Sequence, residues 1–402
     1  MGPSRNAVLI LALSLLSAIT PLGIDMALPG FASLESDLGL APGAGANTVS
    51  IFLLGFALGP LWFGPLSDHV GRKPVLYAGI LLFSTGGLLC YLADSAWLFF
   101  AGRLLQGVGA GVCSSIPLAI VRDSFEGLQG RRVLTLITLV MGVAPIVAPV
   151  IGAAVVATLG WRHVFSILWM TGAVLLLFVI LGLRETRVAT TARNLSLRPM
   201  LAAYRTALGN RVFVGYGLAN GFSVGCMFAF IASSPAVFMG RFGVPAATFG
   251  LIFAVIAAGI IVGATLNDRL LSRALPPAGV LAAALFGSLA SALLLLVSAL
   301  AGIATVTSTL ALLVLNNLCS GMIRPNATHE AMQPLPHIAG SASALFRAVQ
   351  MLLGAIAAAA VSTVAPAHAL LAMAGVMSGT ALVSLLMFWW VSVTRSSQDM
   401  SG

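Results

Sequence analysis

Asp25 and Arg103 are an acid and a base that fall well inside long apolar stretches of this chain. An ionisable group in hydrocarbon is expensive, so each should face the interior of a helix bundle or a wet cavity. Asp25 is the only acid so placed, and a lone carboxyl whose access to water alternates can load and release one proton. Burial and a neighbouring guanidinium act on that proton in opposite senses, which leaves the group poised for exchange. Arg103 is the expected partner, because at about 1.5 Å per residue both lie roughly 10–12 Å deep from one face of the membrane. Gln106 follows Arg103 by one turn and shares its helix face. The rival reading is a static buried pair that locks two helices together.

A second charged constellation is the run Gly64-Pro-Leu-Ser-Asp68-His-Val-Gly71-Arg72-Lys73. It stands between two apolar stretches in a chain that is only 8% charged and 59% hydrophobic. Asp68, Arg72 and Lys73 crowd into one short connector, with Gly71 to tighten the turn. So short and charged a connector between two spans reads as a working joint. The rival reading is topology alone, with bases held at one membrane face.

The elements that must position these groups are membrane helices. A window of about 20 apolar residues spans a bilayer. Twelve such windows are expected, over 7–29, 46–65, 74–93, 96–120, 133–157, 162–183, 211–237, 247–266, 276–299, 303–323, 338–363 and 367–393. The first is read as an uncleaved span, since it is longer than a signal-peptide core and carries Pro21 and Asp25. Barrel strands would alternate over about ten residues, and these windows do not. The fold class is therefore all-α integral membrane.

A net charge of +9 suggests nucleic acid at first sight, but the bases gather at membrane ends. With the N-terminus in the cytoplasm, sixteen of the twenty Lys and Arg fall on the cytoplasmic side, and only Arg162 and Arg241 fall outside. Both termini are then cytoplasmic, the partners are a lipid bilayer and a small molecule, and no nucleic acid is expected. The longest polar stretch follows the sixth window, which divides the chain into bundles over 1–183 and 211–402 joined by a cytoplasmic linker over 184–210. Asp68 and Asp268 stand 200 residues apart at matching places in the two halves, a weak internal echo. A duplicated bundle places a binding cavity near the midplane. Two fused halves make a monomer the expectation.

The four cysteines stand singly in apolar stretches, so neither a metal site nor a disulfide framework is expected. No Walker-type loop is present, which excludes ATP as the driver. An enzyme would need polar catalytic groups clustered at one depth, and none is seen. Gly142, Pro145, Pro149 and Gly152 in the fifth window predict a bent, closely packed helix. Arg347, with Gln350 three residues on, makes a polar face near the midplane of the eleventh window. It contacts either the transported molecule or a neighbouring helix. If it lines the cavity, the bound molecule meets Asp25 as a substrate-binding residue against two arginines, and neutral, zwitterionic or weakly anionic amphiphiles fit better than dications. Tyr216, Asn220, Ser223 and Met227 share one face of the seventh window, and Asn316 and Asn317 are polar in the tenth. These are candidate cavity residues or helix glue.

The Gly64–Lys73 run resembles the signature loop of the major facilitator superfamily. Arg103-Leu-Leu-Gln106-Gly107-Val-Gly109 resembles its fourth-span motif, and Gly142 to Gly152 resembles the fifth-span motif associated with exporters. Gly23-Ile-Asp25-Met26-Ala-Leu-Pro29, Val121-Arg122-Asp123, Arg324-Pro-Asn326-Ala-Thr328 and Ile338-Ala-Gly340 resemble the Bcr/CflA group of bicyclomycin and chloramphenicol resistance exporters. Ala144 replaces a usual Gly, and Arg324 and Arg347 stand where small residues are expected. The resemblance implies two pseudo-symmetric six-helix bundles in the bacterial inner membrane. It implies drug–proton antiport without a cofactor, driven by the proton gradient, and a latch of Asp68, Arg72 and Asp123 on the outward-facing state. A proton symporter importing a small metabolite is the alternative.

Overall fold

In the computed structural model, the described residues are 3–125, 127–183, 185, 197–364 and 366–399. The side chains of 3–9, Asp68, Arg122, 197–199 and 394–399 lie outside that description. Fourteen α-helices follow in order: α1 (Pro3–Asp25), α2 (Phe31–Asp37), α3 (Asn47–Val70), α4 (Arg72–Leu92), α5 (Ala96–Ser124), α6 (Gly127–Leu159), α7 (Trp161–Gly182), α8 (Leu197–Gly209), α9 (Arg211–Pro235), α10 (Ala246–Ser272), α11 (Pro277–Leu300), α12 (Val306–Met332), α13 (Ala339–Ser362) and α14 (Ala369–Asp399). Among the described residues, twelve helical stretches are long and apolar enough to cross a membrane. They are the twelve windows expected from hydropathy, with shifted ends.

Two of those expectations need amendment. The first window is not one helix: α1 stops at Asp25, and a 3-10 turn at Leu28–Gly30 leads into α2. Pro29 has no N–H to continue the ladder, and Gly30 supplies no side chain to brace it. The fifth window holds both prolines inside one uninterrupted helix, α6, which begins at Gly127, several residues before the expected start.

The chain forms two compact units, Met1–Ala41 with Ile51–Leu197, and Pro42–Ser50 with Arg198–Gly402. In the second unit Ser50 donates to the Ala355 carbonyl at 2.8 Å, and Ser362 donates to Asn47 Oδ1 at 2.7 Å. Apolar membrane helices gain little from excluding water and associate through close packing, for which glycine is the means. In the first unit a Cβ on Gly107 of α5 would fall on the Phe52 carbonyl of α3, and one on Gly55 would fall on the Leu104 carbonyl. The second unit repeats the device, with Gly263 of α10 against the Leu318 carbonyl of α12 and Gly321 against that of Ile260.

Helix starts are set locally. Asn210 accepts from the Val212 and Phe213 amides at the head of α9, and Thr305 with Ser308 forms a capping box on α12.

Candidate functional site

The break after α1 builds the first part of the site. Asp25 is its last helical residue and is only 4% exposed. Among the described residues its carboxylate has no hydrogen-bond or ion-pair partner. Ending a helix leaves its last carbonyls without intrahelical donors. The Gly23 carbonyl is one of these, and Arg103 Nη1 donates to it at 3.0 Å. The same nitrogen donates to Gln106 Oε1 at 2.6 Å. The guanidinium lies 4.5 Å from the Phe52 ring centroid and 5.6 Å from that of Phe165, and Arg103 is fully buried. Rings so placed stabilise a desolvated cation.

Arg103 thus meets α1 two residues from Asp25, at the expected level, but through the backbone rather than as an ion pair. The helix break explains the difference, because it frees a carbonyl that an intact helix would have used. Gln106 is also fully buried, and its Nε2 has no partner. A Cβ on Gly152 of α6 would fall on the Met26 carbonyl, so the fifth-window glycine closes directly against the break.

The charged connector is the second part. Gly71 has φ +104°, in the region that only glycine adopts readily, and it turns α3 into α4. Arg72 Nε lies 3.0 Å from Asp123 Oδ2 at the end of α5, and Arg72 Nη1 donates to Ser67 Oγ at 2.6 Å. Gly64 supplies the carbonyl that accepts from Ser67. The Asp68 side chain lies outside the described residues.

Glu185 is a participant the sequence reading missed. Its carboxylate accepts from the backbone amides of Arg72 at 3.0 Å and Lys73 at 3.1 Å. An anion there satisfies two unpaired N–H groups and matches the helix dipole at the start of α4. A Cβ on Gly71 would come within 2.6 Å of Glu185 Oε2, so glycine is needed for room as well as for φ. The available signal was a lone acid just past the sixth window, in an otherwise basic stretch.

The candidate residues of the second unit divide. Asn316 donates to Ser288 and Ser291 and accepts from Cys226, so its amide ties three helices together. Tyr216 is buried in an apolar core and packs edge-on to Phe388. Asn220 and Met227 instead meet α12: Asn220 Nδ2 donates to Thr328 Oγ1 at 3.2 Å, and Met227 receives Arg324 Nη2 at 2.7 Å. Arg347 and Gln350 are half-buried on α13. Among the described residues no group of His, Cys, Asp and Glu could hold a metal.

Among the described residues, twelve apolar helices, a lone buried acid at a helix break and a charged joint between spans define a multi-pass membrane protein of the transporter class. Residues 13–359 match the Major Facilitator Superfamily, and the chain belongs to that family. It is 30% identical to the uncharacterized MFS-type transporter YdgK of Bacillus subtilis over 99% of this chain and 98% of that protein. It is 30% identical to the bicyclomycin resistance protein homolog of Haemophilus influenzae over 87% of each. It is also 34% identical to the multidrug resistance protein MdtL of Salmonella schwarzengrund over 59% of this chain and 60% of that one. These relatives agree with the resemblance to the Bcr/CflA group. The fold is shared with a bacterial homolog of the human lysosomal transporter Spinster (TM-score 0.74, 15% identity, 98% of each chain). It is shared equally with the POT family transporter PepTSo (TM-score 0.74, 14% identity, 99% of each chain).

Proposed function

We propose that this protein expels a small amphiphilic compound, of the bicyclomycin or chloramphenicol type, in exchange for protons by alternating access. Asp25 carries the reading. It is a buried carboxylate at a break in the first membrane helix, with no fixed partner among the described residues and with Arg103 anchored two residues away. Broken helices are where transporters bind ions and substrates. One such acid supports one proton per cycle. The names of the Haemophilus and Salmonella relatives favour drugs as cargo.

The connector acts as a conformational latch. Arg72, Asp123 and Glu185 join the ends of α3, α4, α5 and α7, and a cluster worth a few kcal/mol in one packing and not another biases the populations. The protein works as a monomer in the bacterial inner membrane, with both termini in the cytoplasm, as the Lys and Arg distribution favours. It uses no cofactor beyond the proton gradient.

The test is transport in proteoliposomes under an imposed proton gradient, with chloramphenicol and bicyclomycin as labelled compounds. Movement opposite to protons is expected, and its loss in Asp25→Asn. Movement in the same direction as protons would make the protein an importer and remove the efflux reading.

A further inference from the structure

Unpartnered buried polar atoms gather on one seam of the second unit. Asn220, Ser223 and Met227 share a face of α9, and Ser320, Arg324 and Thr328 recur every four residues on α12. Two contacts fix how the faces meet, Asn220 to Thr328 at 3.2 Å and Met227 to Arg324 at 2.7 Å. Along this seam Asn220 Oδ1, Ser223 Oγ and Arg324 Nε, and Ser320 Oγ one turn further along α12, are all buried without a hydrogen-bond partner. Asn220 is 0% exposed, Ser223 2% and Ser320 1%.

Buried polar groups are ordinarily satisfied, and four orphans in one seam need an explanation. Arg324 sharpens the point. A guanidinium brings five N–H donors and a full charge. Its described hydrogen bond is to a thioether, a weak acceptor. Asp268 and Glu330, the acids nearest this seam in sequence, stand in the last turns of α10 and α12. Nothing in helix packing requires an arginine here, since the neighbouring turns of α12 pack with Gly321, Ser320 and Asn317.

We infer that this seam is a subsite for the acidic group of an amphiphilic monoanion, a carboxylate above all. Arg324 Nε donates to the carboxylate oxygens, with the Ser223 hydroxyl on α9 and the Ser320 hydroxyl one turn along α12 as further donors to the same molecule. Asn220 Oδ1 accepts from a hydroxyl or N–H of the same molecule. That such a molecule is transported rests on the efflux reading above; that it binds here does not.

Binding to the purified full-length protein in nanodiscs tests this, with no gradient applied. The probes are a panel of aryl carboxylates, nalidixate among them, each paired with its neutral methyl or ethyl ester. Charge-assisted hydrogen bonds predict that at least one acid binds roughly ten- to a hundredfold more tightly than its ester. Arg324→Gln should erase that preference by weakening the acid and leaving the ester unchanged. Arg324→Lys should retain part of it, and Ser223→Ala should weaken the acid several-fold. Both are milder changes should the glutamine variant fail to fold.

If every acid binds no better than its ester, or if Arg324→Gln and Arg324→Lys leave the preference intact, the subsite is overturned. Arg324-dependent acid binding by a protein that pumps nothing would keep the subsite and discard the efflux reading. Pumping of neutral drugs that is indifferent to Arg324, by a protein with no preference for acids, would do the reverse.

Discussion

The two units use one packing device and different charges. Each brings its second and fourth membrane helices together on glycines set against carbonyls, Gly55 and Gly107 in one, Gly263 and Gly321 in the other. Between those helices and their neighbours the first unit buries an acid and a base, Asp25 and Arg103. The second holds the half-buried base Arg324, its Nε out of reach of solvent, beside serine and asparagine, with its described acids near helix ends. Close packing is a requirement of any helix bundle in lipid, so it is repeated. A buried charge is a requirement of chemistry, so it is not. On the reading proposed above, proton exchange belongs to the first unit and recognition of an acidic group to the second.

The largest test of that division crosses two variants. Asp25→Asn should reduce gradient-driven transport to background while leaving binding of aryl carboxylates within about twofold, a change of only some 0.4 kcal/mol. Arg324→Gln should invert the pattern for neutral compounds, keeping proton-driven movement. If either variant removes both activities while the protein remains folded by thermal unfolding, the units do not divide the work.

The shared device gives the next effect. Gly107→Ala and Gly263→Ala each force a Cβ into a backbone carbonyl, and overpacking of this kind costs about 1–3 kcal/mol. Equal losses in the two units, read from unfolding in detergent, are expected. Gly107→Ala should in addition impair coupling, because Phe52 carries the ring on which Arg103 rests. Gly64→Ala is the control, since a Cβ there meets nothing within 4 Å.

Smaller effects belong to the connector. Glu185→Gln removes the anion at the head of α4, and helix-dipole partners contribute about 0.3–1 kcal/mol at exposed positions. Transport should slow a few-fold at equal expression, as it should in Arg72→Ala. An unchanged rate in both would leave the latch without support. Smallest is the pair of Arg162 and Asp37, 2.7 Å apart with side chains 35% and 48% exposed. Such pairs contribute about 1 kcal/mol or less, so Asp37→Asn should leave transport unchanged and the unfolding midpoint nearly so.

Much of this was legible in the sequence because hydropathy and charge are local properties. Twelve apolar windows appear, among the described residues, as twelve helical stretches. Asp25 and Arg103 were found by the same reasoning, since a charge in an apolar window is visible without any fold. Three things were not legible. The helix break at Asp25 depends on how the chain resolves Pro21, Pro29 and Gly30 together, and hydropathy averages over it. Glu185 lies 112 residues or more from the amides it caps, so no window contains both. Arg324 looked like a departure from the family pattern, and its orphaned neighbours on α9 are about a hundred positions away.

The sequence by itself determined the number of spans and the presence of a lone intramembrane acid, because both follow from which residues water rejects, and its motifs carried the family resemblance. Only the tertiary structure decided what those charges touch. Partner choice turns on where each helix ends and how it is rotated about its axis. A rotation of one residue, about 100°, carries a side chain from one neighbour to another without changing hydropathy at all.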